Sequence, residues 1–231
     1  MLPLRDNVPT RSFPIVTVAL IVTNVLVWVL YQLPDLNGSV TELAYQPCEV
    51  VNTCTTVGQD WEVTAITSMF MHGSWSHLLG NMLFLWIFGN NVEDALGHVP
   101  FLIWYLAAGV VAMGTQTVVT LAFAGPGAAS VPNIGASGAI AGVLGAYFVL
   151  LPRARVLTVI FFIIREIPAV WFLAVWIGLQ IWTGGLSLVQ PQSGQGVAFF
   201  AHIGGFLFGA ATIYLVARRR PEVPRSRFPV Y

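Results

Sequence analysis

Six stretches of the chain are apolar over lengths suited to a membrane span: Ile15–Leu33, Ser74–Gly89, Val99–Ala124, Gly135–Leu151, Ile167–Gly184 and Val197–Ala217. A helix needs about 20 such residues to cross the hydrocarbon core of a bilayer, so the pattern predicts six transmembrane helices. The first run is read as a retained span: fourteen residues with Arg5 and Arg11 precede it, no small-residue cleavage site follows it, and Trp28 and Tyr31 stand near its end as interfacial anchors. Pro132 and Pro152 bound the fourth run. Between the first and second runs lies a polar stretch, 34–62, carrying Asp35, Glu42, Glu49, Asp60 and Glu62.

Composition turns this pattern into a class. Of 231 residues, 56% are hydrophobic and 9% charged, against about 25% charged in a soluble domain. A soluble enzyme, a nucleic-acid binder and a disordered chain are excluded, and an all-α membrane protein remains. Charge placement then gives the orientation. All ten basic residues are arginines, at 5, 11, 153, 155, 165, 218, 219, 220, 225 and 227. They fall in the N-terminal tail, the fourth–fifth connection and the C-terminal tail, which six spans place on one side. By the positive-inside rule both termini are cytoplasmic and the acidic 34–62 loop is outside. The expected organisation is a cytoplasmic tail 1–14, a membrane domain 15–217 and an Arg-rich cytoplasmic tail 218–231.

Polar side chains within spans point to function. His72, His77 and Asn81 open the second helix, Ser137 the fourth, and His202 lies near the start of the sixth. From the inner charged boundary, His77 to Glu93, Ser137 to Arg153 and His202 to Arg218 are each 16 residues, about 24 Å of helix. All three side chains are therefore expected at one level near the outer surface. Gly138–Gly142 and Gly205–Gly209 are small-xxx-small pairs that allow close backbone approach, which brings the Ser137 hydroxyl and the His202 imidazole within reach. A serine becomes a nucleophile when a base takes its proton, and His202 is the candidate base. His77 and Asn81, four apart on one helix face, and the N–H groups at the N-terminus of the Ser137 helix are candidate oxyanion donors. The outer halves of the spans hold no carboxylate, so a Ser–His dyad is expected, with Asp60 and Glu62 as the only carboxylates that a triad would draw on.

Three blocks, HGSWSHLLGN (72–81), GASG (135–138) and AHIGG (201–205), occur in this order on the second, fourth and sixth helices. With them the chain resembles the rhomboid intramembrane serine proteases over roughly residues 14–217. The resemblance implies the six-helix rhomboid bundle, Ser137 as nucleophile, His202 as its base, and His77, Asn81 and the Ser137 N–H as oxyanion stabilisers. It gives His72 a site-ordering role, shared with Gly135, Gly138 and Gly205, and makes Glu93 an anchor for the inner end of the second helix. Two positions depart from the family. Val63 and Thr64 stand where rhomboids often carry Trp-Arg, and Ala141 stands where some members place an aromatic ring under the histidine. The resemblance also implies a mobile cap, placed at Ser187–Gly196, and a side gate formed by the fifth helix.

The expected function is hydrolysis of peptide bonds in or near transmembrane segments of membrane-protein substrates. No cofactor, no metal and no nucleic-acid partner is expected, and the lipid bilayer is the surrounding partner; the His72–His77 spacing lacks the carboxylate of a zinc protease. A non-catalytic membrane-client binder and a transporter are the alternatives. The expected location is the plasma membrane of a prokaryote. Asn24, Gln116 and Gln180 are read as interhelical polar contacts, and His98 as solvated or a cap. Cys48 and Cys54, six apart in the outer loop, are expected to form a disulfide. Reporter fusions at residue 231 and within 37–58 should report opposite sides of the membrane; the same side for both contradicts the orientation.

Overall fold

A computed structural model describes residues 1–54, 58–124, 126–189 and 198–223. The chain begins with strand β1 (Leu2–Asp6), followed by α1 (Ile15–Gln32), whose last six residues wind as a π-helix. The polar stretch folds into three short helices, α2 (Leu36–Leu43), α3 (Pro47–Val50) and α4 (Trp61–Thr67). Helix α5 runs through Trp75–Phe84, a π-turn at Leu85–Gly89 and Asn90–Leu96 without a break. Then come α6 (His98–Ala124), α7 (Pro126–Ala129) and α8 (Ser137–Leu150). A hairpin, β2 (Arg155–Ile160) and β3 (Ile163–Pro168), leads into α9 (Ala169–Val189), and α10 (Phe199–Val216) closes the fold.

Among the described residues four helices, α1, α6, α9 and α10, are long and apolar enough to cross a membrane. The six apolar runs all contain helix, but the other two differ. Helix α8 has 14 residues, which at 1.5 Å each spans about 21 Å, short of a hydrocarbon core of about 30 Å. Helix α5 carries His77, Asn81, Asn90, Asn91, Glu93 and Asp94 along its length, which lowers its apolar character.

The all-α expectation needs a correction. Strand β2 pairs antiparallel with β1 (Leu2 opposite Val159, Asp6 opposite Val156) and with β3 (Arg155 opposite Pro168). Segment 155–160, RVLTVI, is rich in the β-branched residues that suit a pleated surface. The N-terminal segment is thus built into the fold. Its Asp6 carboxylate accepts hydrogen bonds from Asn91 (2.9 Å) and from Tyr147, and burial pushes its pKa up to about 6.

A carboxylate pair gathers both ends of the chain. Glu93 is buried and accepts from the Val16 N–H (2.9 Å), the Thr17 N–H (2.7 Å) and the Thr17 hydroxyl (2.7 Å). It therefore caps the first turn of α1, whose N–H groups have no partner within the helix. His98 completes its shell. The neighbouring Asp94 accepts from the Ser12 N–H and hydroxyl at 3.2 and 3.0 Å and pairs with Arg219 at 3.4 Å. Residues 12 and 219 consequently meet at one end of the bundle.

At the other end, Cys48 and Cys54 are joined by a disulfide. The Tyr45 backbone exchanges hydrogen bonds with Asn133, and its hydroxyl lies 2.7 Å from Thr117 Oγ1. The folded polar stretch thereby rests on the residues that lead into α8. Glu49 is buried beside the Thr64 hydroxyl at 3.0 Å, and burial raises its pKa.

Helix α8 lies at the centre, packed chiefly against α10 and α6. Its residues Ala139–Tyr147 are all buried. The α8–α10 seam has no room for side chains. A Cβ at Gly205 would collide with the Gly138 carbonyl, one at Gly209 with the Gly142 carbonyl, and one at Gly145 with the Phe206 carbonyl. Helix α9 is peripheral: 22% of its span is buried, against 33% of α10.

Replacing Gly209 by valine drives a branched side chain into backbone and should destabilise the folded protein by about 3 kcal/mol. Exposed Gly114, around which a Cβ meets nothing within 4 Å, should accept alanine with a change of less than about 1 kcal/mol. Thermal unfolding in detergent measures both.

Candidate active site

Ser137 is the first residue of α8, a position set by the loop before it. Gly135 adopts φ +122°, a backbone region that side chains strain to enter. Its N–H donates to the Ser68 carbonyl at 2.8 Å. A Cβ there would sit 2.8 Å from His77 Nε2. Glycine therefore both makes the turn into α8 and lets the His77 ring lie against the backbone just before the serine.

His202 lies in the first turn of α10. Two backbone N–H groups at the start of that helix, Phe200 and Ala201, donate to Gln116 Oε1 on α6 at 3.1 and 3.2 Å. Gln116 thus caps α10 from a neighbouring helix. Because the glycine seam holds α8 and α10 at backbone contact, His202 Nε2 comes to 2.7 Å from Ser137 Oγ. The ring's other nitrogen, Nδ1, lies 2.9 Å from Gln180 Oε1 on α9.

The α5 residues complete the site. His77 Nδ1 accepts a hydrogen bond from the Gly73 N–H at 3.4 Å. The proton of a neutral ring then resides on Nε2, the nitrogen that faces Gly135. Asn81 Nδ2 lies 3.0 Å from His72 Nε2, and the His72 and His77 rings meet edge to face at 5.1 Å. His72 is fully buried, and its backbone is clamped: its N–H donates to Gln32 Oε1 at 2.8 Å and its carbonyl accepts from Gln32 Nε2 at 2.9 Å.

A cavity of about 420 Å³ opens over these groups between α5 and α9. Ser137, His202, His77 and Asn81 line it, together with Gln180 and Trp176. The structure therefore brings together the serine, the three histidines and Asn81, with Gly135 and the Gly138–Gly205 contact beneath them. Asp60 and Glu62 are exposed on the polar stretch and do not line the cavity. Among the described residues no cluster of three or more histidine, cysteine or carboxylate side chains has the spacing of a metal site.

Two contributors escaped the sequence reading, and a third was read without its partner. Gln32 ends a span by composition, and nothing local connects it to His72. Trp176 has the look of an interfacial anchor, yet its ring lies 5.8 Å from that of His202. Gln180 does bond between helices, as read, but its partner is His202. Asn24 instead donates within its own helix, to the Leu20 carbonyl at 2.7 Å. The segment assigned to a cap, Ser187–Gly196, lies largely outside the described residues, as does the tail from 224 onward.

A bundle of apolar helices around a cavity that holds a hydrogen-bonded serine and histidine defines a multi-pass membrane protein. The Rhomboid domain family model matches residues 58–219, and the chain belongs to the rhomboid family. It is 32% identical over 215 residues to the human "Presenilin-associated rhomboid-like protein, mitochondrial", covering 91% of this chain and 50% of that protein. It is 35% identical over 104 residues to "Rhomboid protein 1, mitochondrial" of Saccharomyces cerevisiae, covering 43% of this chain and 28% of that protein. A Bacillus subtilis protein named "Putative rhomboid protease YdcA" is 29% identical over 142 residues, 61% of this chain and 64% of that protein. The chain spans about half the length of the mammalian relatives it matches. These relatives correct one expectation: the mammalian proteins aligned over 82% to 91% of this chain are mitochondrial, which overturns the plasma-membrane location.

Gln32→Leu leaves the buried His72 N–H and carbonyl without partners and should cost about 3 kcal/mol of stability. It should also loosen the His72–Asn81 contact. Thermal unfolding, with proteolysis across residues 68–74 as the local probe, measures the effect.

Proposed function

We propose that the chain is an intramembrane serine endopeptidase that cuts membrane-protein substrates in or near their transmembrane segments. The observation that carries this reading is the 2.7 Å contact between Ser137 Oγ and His202 Nε2 at the floor of a cavity inside an apolar bundle. Ser137 Oγ attacks the scissile carbonyl carbon as its proton passes to His202 Nε2. The tetrahedral oxyanion is met by the His77 Nε2–H, the Asn81 amide and the Ser137 N–H, donors fixed in place before the reaction and so at little reorganisation cost. The imidazolium then protonates the leaving amine, and an acyl-enzyme remains on Ser137. Water entering the cavity hydrolyses it by the same path in reverse order, with His202 again the base.

The surrounding fold suits this chemistry. Non-helical backbone at membrane depth is tolerated where it lines a wet cavity, and the loop before α8 does so. With α5 and α8 counted, six helices cross the membrane, and the arginine-rich end where residues 12 and 219 meet faces the inner compartment. The disulfide-bearing end, with the site beneath it, faces the outer one. A substrate helix enters sideways between α5 and α9, the two elements that flank the cavity. The mitochondrial relatives support a mitochondrial membrane as the setting.

Cleavage of a single-span membrane protein in proteoliposomes tests the assignment. Ser137→Ala and His202→Ala should each abolish nearly all turnover, and the double variant should be little worse than either, because the two residues serve one step. His77→Ala and Asn81→Ala should each lower kcat about 100-fold without abolishing it. Folded Ser137→Ala protein cutting at the wild-type rate would refute the serine mechanism.

A further inference from the structure

A serine–histidine pair works only if the imidazole presents a lone pair to the serine, so its proton must sit on the opposite nitrogen. In many serine hydrolases a carboxylate enforces that arrangement. Here the contact on the far side of the ring is an amide: Gln180 Oε1 lies 2.9 Å from His202 Nδ1. An amide oxygen only accepts, so Nδ1 carries the hydrogen and Nε2 is left free to accept from Ser137 Oγ at 2.7 Å. One turn earlier on α9, Trp176 places its ring 5.8 Å from the imidazole at an interplanar angle of 40°. Residues 176 and 180 share a helix face, so one element supplies both the hydrogen bond and the ring contact. Position 141 of α8 holds a buried alanine and offers no ring from below.

We propose that Gln180 is the positioning residue of the Ser137–His202 pair, an inference that rests on the serine-protease reading. It fixes the Nδ1–H tautomer and the ring orientation. When the Ser137 proton moves to Nε2, the Nδ1–H stays in place, the ring carries the positive charge, and the Gln180 carbonyl dipole stabilises it. No proton reaches Gln180. The base is therefore assembled across two helices, and its second half sits on the least buried of the long helices. Displacing α9 from α10 removes the acceptor and the tryptophan ring together. The element that borders the substrate entrance thus also controls whether His202 is oriented for catalysis.

The test compares variants that separate the acceptor from the bulk of the side chain. Gln180→Met and Gln180→Leu keep an apolar filling and remove the acceptor. Gln180→Glu keeps an acceptor oxygen at the same reach. With a single-span substrate in proteoliposomes, the Met and Leu variants should lose about 10- to 100-fold in kcat with KM unchanged, the range expected for one hydrogen bond to a group that becomes charged. Gln180→Glu should recover kcat to within about tenfold of wild type. Wild-type kcat in the acceptor-free variants, or equal losses in Met, Leu and Glu variants of unchanged thermal stability, would overturn the proposal. Ser137→Ala run in parallel keeps the two claims apart: if it is inactive while Gln180→Met is fully active, only the role of Gln180 fails; if it is active, the serine mechanism itself fails.

Discussion

The contact of α8 and α10 at the level of their backbones is the constraint on which the site depends. In a bilayer, helices gain little from burying apolar surface against each other, and association rests on close packing. Gly205 and Gly209 on α10 admit the Gly138 and Gly142 carbonyls of α8, and Gly145 on α8 admits the Phe206 carbonyl, while side chains at Gly138 and Gly142 would collide with Ala112 and Ala108 of α6. Ser137 and His202 sit at the end of that seam. A separation greater by one methyl-bearing side chain would turn a hydrogen bond of 2.7 Å into a gap. The Ser137–His202 hydrogen bond is thus a consequence of where the glycines lie.

Polar groups within an apolar bundle also need partners, because an unpaired one is costly to bury. At three places the partner comes from outside the helix that bears the group. Gln116 on α6 caps α10, Glu93 on α5 caps α1, and Gln32 on α1 holds the His72 backbone. Each of these contacts joins two elements and fixes the depth of one against the other. Three side chains from α5, α8 and α10 therefore converge on one cavity although two of those helices end short or carry polar residues throughout.

Much of this was legible in the sequence because it is written locally. Apolar runs gave the positions of all the long helices, and the two GxxxG pairs beside Ser137 and His202 marked the seam. The tertiary pairings were not legible. Strand β1 meets β2 about 150 residues away, and no local pattern in LPLRD announces a partner. The polar stretch 34–62 rests on the Tyr45–Asn133 pairing, a contact between segments that share no periodicity, whereas its Cys48–Cys54 disulfide joins residues only six apart and was expected. Gln180 and Trp176 stood in an apolar run where a polar glue residue and an interfacial anchor are the ordinary readings; only the approach of α9 to α10 places both at His202. The location failed for a different reason, since the distribution of arginines reports a sidedness and not which membrane bears it.

The proposed mechanism makes Ser137 a nucleophile facing preformed oxyanion donors. Its most direct test is the structure of the protein after reaction with a fluorophosphonate. A single covalent bond from phosphorus to Ser137 Oγ is expected, with the phosphoryl oxygen within hydrogen-bonding distance of His77 Nε2 and Asn81 Nδ2. Folded protein that forms no adduct at Ser137, or an adduct whose oxygen points away from both α5 side chains, would contradict it.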